Sequence, residues 1–373
     1  MSSNSNVPSN KDLLAKIVDA LPHTTPFKAP EAIEVELGRT FMLRLGANES
    51  NWGCSPLAQR AAEDIASHLF KYGDPQSVEL RTLLSKKLNY SIDSILIGEG
   101  IDGLIGLIIR AFINPNDHVI TTHGSYPTFN FHANGFGARL IEIPYAGDQI
   151  DLDGLLSAAI QYQAKLIYLA NPDNPSGTAY DRHTIELFVA KIPEGCLLIL
   201  DEAYADFMPN TQLAEIDVYT SRVIRLRTFS KAHGLAGARV GYALAHPNYI
   251  ATFHKIRQHF GVNLAGQVLC AASLRDAAYI EQVTKEVAEG RAEYYQLAES
   301  LGLRAIPSST NFVTIDVGSI EKSIWWVKRL AEEGVFIRRP GTGALSQCIR
   351  ITVGTRPERA LLAEIMRKIH AEG

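Results

Sequence analysis

Leu198-Ile199-Leu200-Asp201-Glu202-Ala203-Tyr204 is an aliphatic run that stops on an acid. Consecutive aliphatic residues without polar alternation suit a strand covered on both faces, as in a parallel sheet sandwiched by helices. Asp201 closes the run, so its carboxylate should be buried, and a buried carboxylate needs a cation or hydrogen-bond donors. A metal ion, a helix N-cap role or a protonated heterocycle nitrogen would each answer that need. No cluster of His and Asp nearby has the spacing of metal ligands.

The same texture extends outward. Strand-like runs are Ser94–Ile97, His118–Thr122, Arg139–Ile143, Lys165–Ala170, Cys196–Leu200, Arg222–Leu226 and Arg239–Ala243. Helical patterns lie between most of them, at Gly100–Phe112, Thr128–Asn134, Leu152–Gln163 and His183–Lys191. This alternation predicts an α/β fold, with a mainly parallel seven-stranded sheet flanked by helices and ligands at the carboxyl ends of the strands. After Pro247 the pattern changes to one long helical stretch, Ala265–Ser300, weakened only at Gly266 and Gly290. Strands Asn311–Val317, Val335–Arg338 and Cys348–Val353 follow, with helices Ser323–Glu333 and Pro357–His370. The predicted organisation is an N-terminal tail and arm (1–44), a large domain (45–255) and a smaller α+β domain (256–373). The arm carries short helices at Lys11–Leu21 and Glu31–Leu37.

Composition narrows the function. The chain has 373 residues, 46% hydrophobic and 20% charged, with a net charge of −4. It is globular in character, and no basic block points to nucleic acid or an anionic membrane. The run from Leu104 to Ile113 is too short to span a bilayer, and Met1–Asn10 lacks a signal-peptide core. Cys54, Cys196, Cys270 and Cys348 are far apart, which suits reduced thiols in a cytoplasmic protein better than a metal site or disulfide framework.

Three further motifs carry chemistry. Gly98-Glu99-Gly100-Ile101-Asp102-Gly103 joins a strand to a helix. It satisfies the dinucleotide pattern, but the next strand ends in Thr121-Thr122-His123 without the acid such a site wants. Free N–H groups at a helix start bind any phosphate, and the glycines equally suit a tight turn. Asn171-Pro172-Asp173-Asn174-Pro175-Ser176-Gly177 holds two Asn-Pro steps that stiffen a loop at a strand end. Arg227-Thr228-Phe229-Ser230-Lys231-Ala232-His233-Gly234, with Arg239 beyond, sets a lysine among hydroxyls and small residues. A lysine for a Schiff base, a buried acid for a pyridinium nitrogen, and a phosphate cradle together fit pyridoxal 5′-phosphate (PLP).

The segments Asn174-Pro175-Ser176-Gly177, Asp201-Glu202-Ala203-Tyr204, Ser230-Lys231 and Cys348-Ile349-Arg350-Ile351-Thr352-Val353-Gly354-Thr355 resemble, in order, the fold-type I PLP aminotransferases of class I/II. Within them the chain is most similar to the histidinol-phosphate branch, from about Thr25 to its end. The resemblance implies that Lys231 carries the cofactor and then moves a proton at the substrate. It implies Asp201 on the ring nitrogen, Tyr204 and Asn174 on the phenolic oxygen, and Phe129 stacked on the ring, with His132 behind Asp201. The phosphate would take Gly100, Ile101, Asp102, Thr228, Ser230 and Arg239, and Tyr72 would reach the phosphate of a second subunit in a homodimer. Arg350, Arg338, Asn48 and Thr24 would meet the substrate. Departures cluster there: Thr24 and Phe27 flank Pro26 where the family has Tyr and Gly, Asn48-Glu49-Ser50-Asn51 replaces Asn-Glu-Asn-Pro, and Arg339 stands where proline is common.

The implied reaction is ping-pong transfer of an amino group, in amino-acid biosynthesis, from histidinol phosphate to a 2-oxo acid such as 2-oxoglutarate. Aromatic or other α-amino acids, or a same-fold decarboxylase of the threonine-phosphate type, use the same cofactor residues. A transcription regulator with an aminotransferase-like domain would need a basic recognition helix ahead of Leu43, and none is present.

Overall fold

The computed structural model describes residues 13–22, 28–341 and 343–372. Thr24, with its neighbours Pro26 and Phe27, and the polar residues Met1–Asn10 lie outside them. Among the described residues twelve strands form three sheets: β1 Leu43–Arg44, β2 Ile95–Gly98, β3 His118–Thr122, β4 Arg139–Ile143, β5 Leu166–Ala170, β6 Leu197–Asp201, β7 Val223–Thr228, β8 Gly241–Leu244, β9 Arg304–Ile306, β10 Phe312–Asp316, β11 Val335–Phe336 and β12 Cys348–Thr352. The large sheet has seven strands in the order β2-β8-β7-β6-β5-β3-β4. All its pairings are parallel except those of β8, which runs antiparallel between β2 and β7.

The absence of polar alternation in the central strands has a direct counterpart in packing. Leu198 and Leu200 face one cluster, with Leu155 and Phe188 of the covering helices. Leu197 and Ile199 face the opposite cluster, with Ile105, Ile109 and Phe253. Both sides of each pleat are therefore dry, and every apolar position contributes on the order of 1.5–3 kcal/mol of burial. The flanking helices start where their caps say: Asp151 accepts from Gly154 N–H at 2.8 Å and Asp181 from Thr184 N–H at 2.8 Å.

The second unit centres on an antiparallel sheet ordered β12-β10-β9, covered by helices Ala277–Ser300, Ile320–Glu332 and Arg356–Glu372. β1 pairs in parallel with β11, so the end of the N-terminal arm belongs to this unit's packing. Its core also takes in Tyr204 and Ala232, which seats it directly against the Lys231 loop.

Two expectations shift. The stretch Ala265–Ser300 is two helices, Leu264–Leu274 and Ala277–Ser300, parted at Arg275–Asp276. Gly290 does not interrupt a helix: a Cβ there would lie 2.4 Å from Val353, so the glycine permits close packing. The first of these helices packs on Pro56–Ile65 and Val78–Leu88 and buries Cys270 and Ala271 beside Leu80 and Tyr242.

Candidate active site

A cavity of about 870 Å³ opens at the carboxyl ends of β5, β6 and β7, where the small unit meets the sheet. Asp201 ends β6 on its floor and is buried. Its carboxylate accepts from the Tyr168 hydroxyl at 2.6 Å and from Ala203 N–H at 2.9 Å. Burial outweighs these donors and pushes its pKa up to about 6. No cation answers it among the described residues.

Lys231 follows β7 on a loop that leaves no room beneath it. A Cβ on Gly234 would come 2.0 Å from the Gly53 carbonyl, and its φ of +65° also demands glycine. The Lys231 amine donates to the Asn48 carbonyl at 3.1 Å and lies 5.5 Å from the centre of the Tyr204 ring. Burial, then the charge of Arg350, lowers its pKa to about 8. Asn48 is buried at the join of the two units: its amide donates to the Tyr204 hydroxyl at 3.0 Å, and its side-chain oxygen accepts from Thr352 at 3.1 Å. It thus supports the lysine and the tyrosine from below.

One wall is an anion cradle. Gly100 opens the helix Gly100–Phe112 at φ +73°, beside Ile101, Asp102, Thr228, Ser230 and Arg239. Arg239 pairs with Asp102 at 3.4 Å, and a Cβ at Gly100 would sit 2.7 Å from the Arg239 guanidinium. Helix N–H groups, two hydroxyls and a guanidinium in one corner suit a phosphate. The opposite wall is made by the small unit. Arg350 donates to the Asn174 side-chain oxygen at 2.5 Å and to the Gly46 carbonyl at 3.1 Å. Arg338 bridges to Arg350 through the backbone and donates to the Lys28 carbonyl at 2.8 Å. Asp173 anchors the intervening loop by accepting from Tyr145 at 2.8 Å and Ser176 at 2.6 Å.

Lys231, Asp201, Tyr204, Asn174, Asn48, Arg338 and Arg350 therefore meet in one cavity with Ile101, Asp102, Thr228, Ser230 and Arg239; Gly100 adjoins Ile101 but is not in the lining. Phe129 does not join them. The helix starts at Pro127, which turns Phe129 inward; it is fully buried and stacks on Tyr168 at 4.7 Å. From this segment the cavity is lined instead by Phe131 and by Tyr126, one residue ahead of the helix, whose hydroxyl donates to Asp102 at 3.0 Å. His132 packs against Gly106, and Tyr168 occupies the supporting place beside Asp201. Tyr168 escapes a reading of the sequence because it lies inside β5; its signal is one polar-tipped ring in an otherwise aliphatic strand. Tyr72 is exposed, 4.7 Å from Phe260, and is not part of this cavity within one chain.

The donor set fits PLP: an uncompensated buried carboxylate for a protonated ring nitrogen, an amine of lowered pKa, and a phosphate corner that a methyl group would fill. Residues 40–369 match the family described as aminotransferase class I and II. The chain belongs to that family. The aminotransferase is 35% identical over 350 residues to the histidinol-phosphate aminotransferase of Bacillus subtilis (strain 168), covering 91% of this chain and 96% of that protein. It is 32% identical over 351 residues to the enzyme of the same name from Moorella thermoacetica, covering 93% and 90%. Among solved structures it is similar to the histidinol-phosphate aminotransferase of Sinorhizobium meliloti in complex with pyridoxal-5′-phosphate, with 42% identity, a TM-score of 0.91, and 95% and 98% of the two chains covered. Thermus thermophilus aspartate aminotransferase, at 20% identity and a TM-score of 0.83, shares the fold. Among the described residues of this aminotransferase, no helix is long and apolar enough to cross a membrane.

Proposed function

We propose that this aminotransferase uses PLP to move the amino group of histidinol phosphate to a 2-oxo acid such as 2-oxoglutarate, as a cytoplasmic homodimer. The observation that carries the reading is one cavity holding the Lys231 amine and the Asp201 carboxylate on one side and the Arg338 and Arg350 guanidiniums on the other. The first pair suits the cofactor; the second suits an anionic substrate. The named relatives favour histidinol phosphate as that substrate.

Bound PLP supplies an electron sink for charge at the donor's α carbon. Asp201, steadied by Tyr168, would hold its ring nitrogen; Tyr204 and Asn174 its phenolic oxygen; Tyr126 its face; Gly100, Ile101, Asp102, Thr228, Ser230 and Arg239 its phosphate. The neutral Lys231 amine would take the proton from the donor's α carbon, while Arg338 and Arg350 orient the donor. Tyr72 is 81% exposed beside the exposed apolar Phe70 and Phe260, a surface that suits a second copy of the chain, and Tyr72 would reach into that copy's phosphate corner. Free, mostly buried cysteines suit the cytoplasm.

The test is a screen of amino donors read as stoichiometric pyridoxamine phosphate. Histidinol phosphate is expected to give the highest kcat/KM. Release of CO2 without pyridoxamine phosphate would replace this reading with a decarboxylase. A second result is expected at the cradle. Gly100→Ala forces a left-handed φ that costs about 1–2 kcal/mol and pushes on Arg239, so the dissociation constant of PLP should rise roughly 10-fold by absorbance titration. Unchanged affinity would remove the phosphate from this corner.

A further inference from the structure

The small-unit wall carries a third guanidinium. Arg339 lines the cavity next to Arg338, and among the described residues its one hydrogen bond is to the Ser346 carbonyl at 3.0 Å. That partner is neutral, so it fixes the side chain without cancelling its charge. No carboxylate pairs with Arg339 or Arg350 among the described residues, whereas Arg239 across the cavity has Asp102. The turn that accepts from Arg339 is itself anchored. The Ser346 carbonyl also accepts from Ser323 at 3.0 Å, and a Cβ at Gly343 would lie 3.1 Å from the His123 carbonyl of the large unit. Little side-chain freedom is left to lose on binding.

We infer that Arg339 sets the substrate charge this site prefers, by supplying a guanidinium to a doubly charged group remote from the reacting amine. The inference rests on the aminotransferase reading above. A monocarboxylate is met by one guanidinium; three on one wall, with no carboxylate paired to Arg339 or Arg350, suit a phosphate monoester dianion or the second carboxylate of a dicarboxylic oxo acid. In a ping-pong cycle both substrates enter the same cavity, so the same residue would act on each.

The experiment compares PLP-loaded wild type, Arg339→Gln and Arg339→Lys. Donors are histidinol phosphate and phenylalanine; acceptors are 2-oxoglutarate and pyruvate. Arg339→Gln is expected to lower kcat/KM for the doubly charged member of each pair about 10–100-fold relative to its partner, mostly through KM. Arg339→Lys should recover part of that ratio. Inorganic phosphate, titrated into the loaded enzyme by calorimetry, should compete with histidinol phosphate in the wild type and bind more weakly to Arg339→Gln by a similar factor. An equal fall for both members of each pair would overturn the inference and leave Arg339 as a clasp on the Ser346 turn. In a wild type that does use histidinol phosphate, failure of phosphate to compete would overturn it too, whatever the folding of the variants. A wild type that uses phenylalanine and ignores histidinol phosphate would refute the substrate reading alone; the 2-oxoglutarate to pyruvate ratio would then still decide Arg339.

Discussion

Lys231→Ala is expected to lower the rate of pyridoxamine phosphate formation by about 10⁴-fold or more, because on the proposed reading it removes both the covalent anchor and the base. Borohydride should then fail to fix the cofactor to the protein, while PLP still binds through the Gly100 corner and Asp201. The geometry explains why no neighbour substitutes. The Lys231 amine is the only lysine amine in the cavity lining among the described residues, and Tyr204 beside it has its hydroxyl pushed up to about 12, chiefly by burial. A phenol at that value is a poor base at neutral pH. The lysine itself is well suited to proton transfer, since burial and then Arg350 lower its pKa to about 8. An ammonium cannot accept a proton, so the half-reaction governed by the free amine should speed up as pH rises through about 8 and level off above it. Rapid-mixing absorbance across pH 6–10 checks this. A variant that kept a tenth of the wild-type rate would end the assignment of Lys231 as the base.

The sheet was legible because its strands are long aliphatic runs, and each observed strand falls within two residues of its expected place. Lys231, Asp201, Asn174 and Gly100 were legible for a related reason: Asp201 ends a strand, Gly100 begins a helix, and Asn174 and Lys231 lie in loops just beyond strand ends, where topology alone puts them at one edge. What stayed hidden depends on side-chain direction. Tyr126 and Phe129 are both aromatic and close in sequence, and only the phase of the helix starting at Pro127 sends one to the cavity and the other to the core. Tyr168 required knowing which pleat of β5 faces Asp201 across the register that pairs Ala170 with Asp201. The small unit was less readable where its strands are short or its helices break without a signal. β9 has three residues, and the break at Arg275–Asp276 carries neither glycine nor proline.

Asp201→Asn is expected to move stability and turnover in opposite directions. With its pKa raised to about 6, chiefly by burial, the folded chain holds the Asp201 proton more tightly than the unfolded chain does. An unfolded aspartate titrates near about 3.9. Between these values the native state binds more protons, so the cofactor-free protein loses stability as pH rises from about 4 through about 6. At pH 8 the full penalty applies, roughly 1–3 kcal/mol. An amide keeps an acceptor for Ala203 and a polar partner for Tyr168 but cannot ionise. The cofactor-free variant should therefore resist denaturant better than wild type at pH 8 and show a flatter stability profile between pH 4 and 6. Turnover should nonetheless fall about 10²–10⁴-fold, since a neutral amide gives a protonated ring nitrogen no counter-charge. On the proposed reading the carboxylate destabilises the cofactor-free fold because its partner is the cofactor and not a protein cation, the usual conflict between a poised site and a stable core. A variant less stable than wild type without PLP would make Asp201 a structural residue. One with undiminished turnover would detach it from the ring nitrogen.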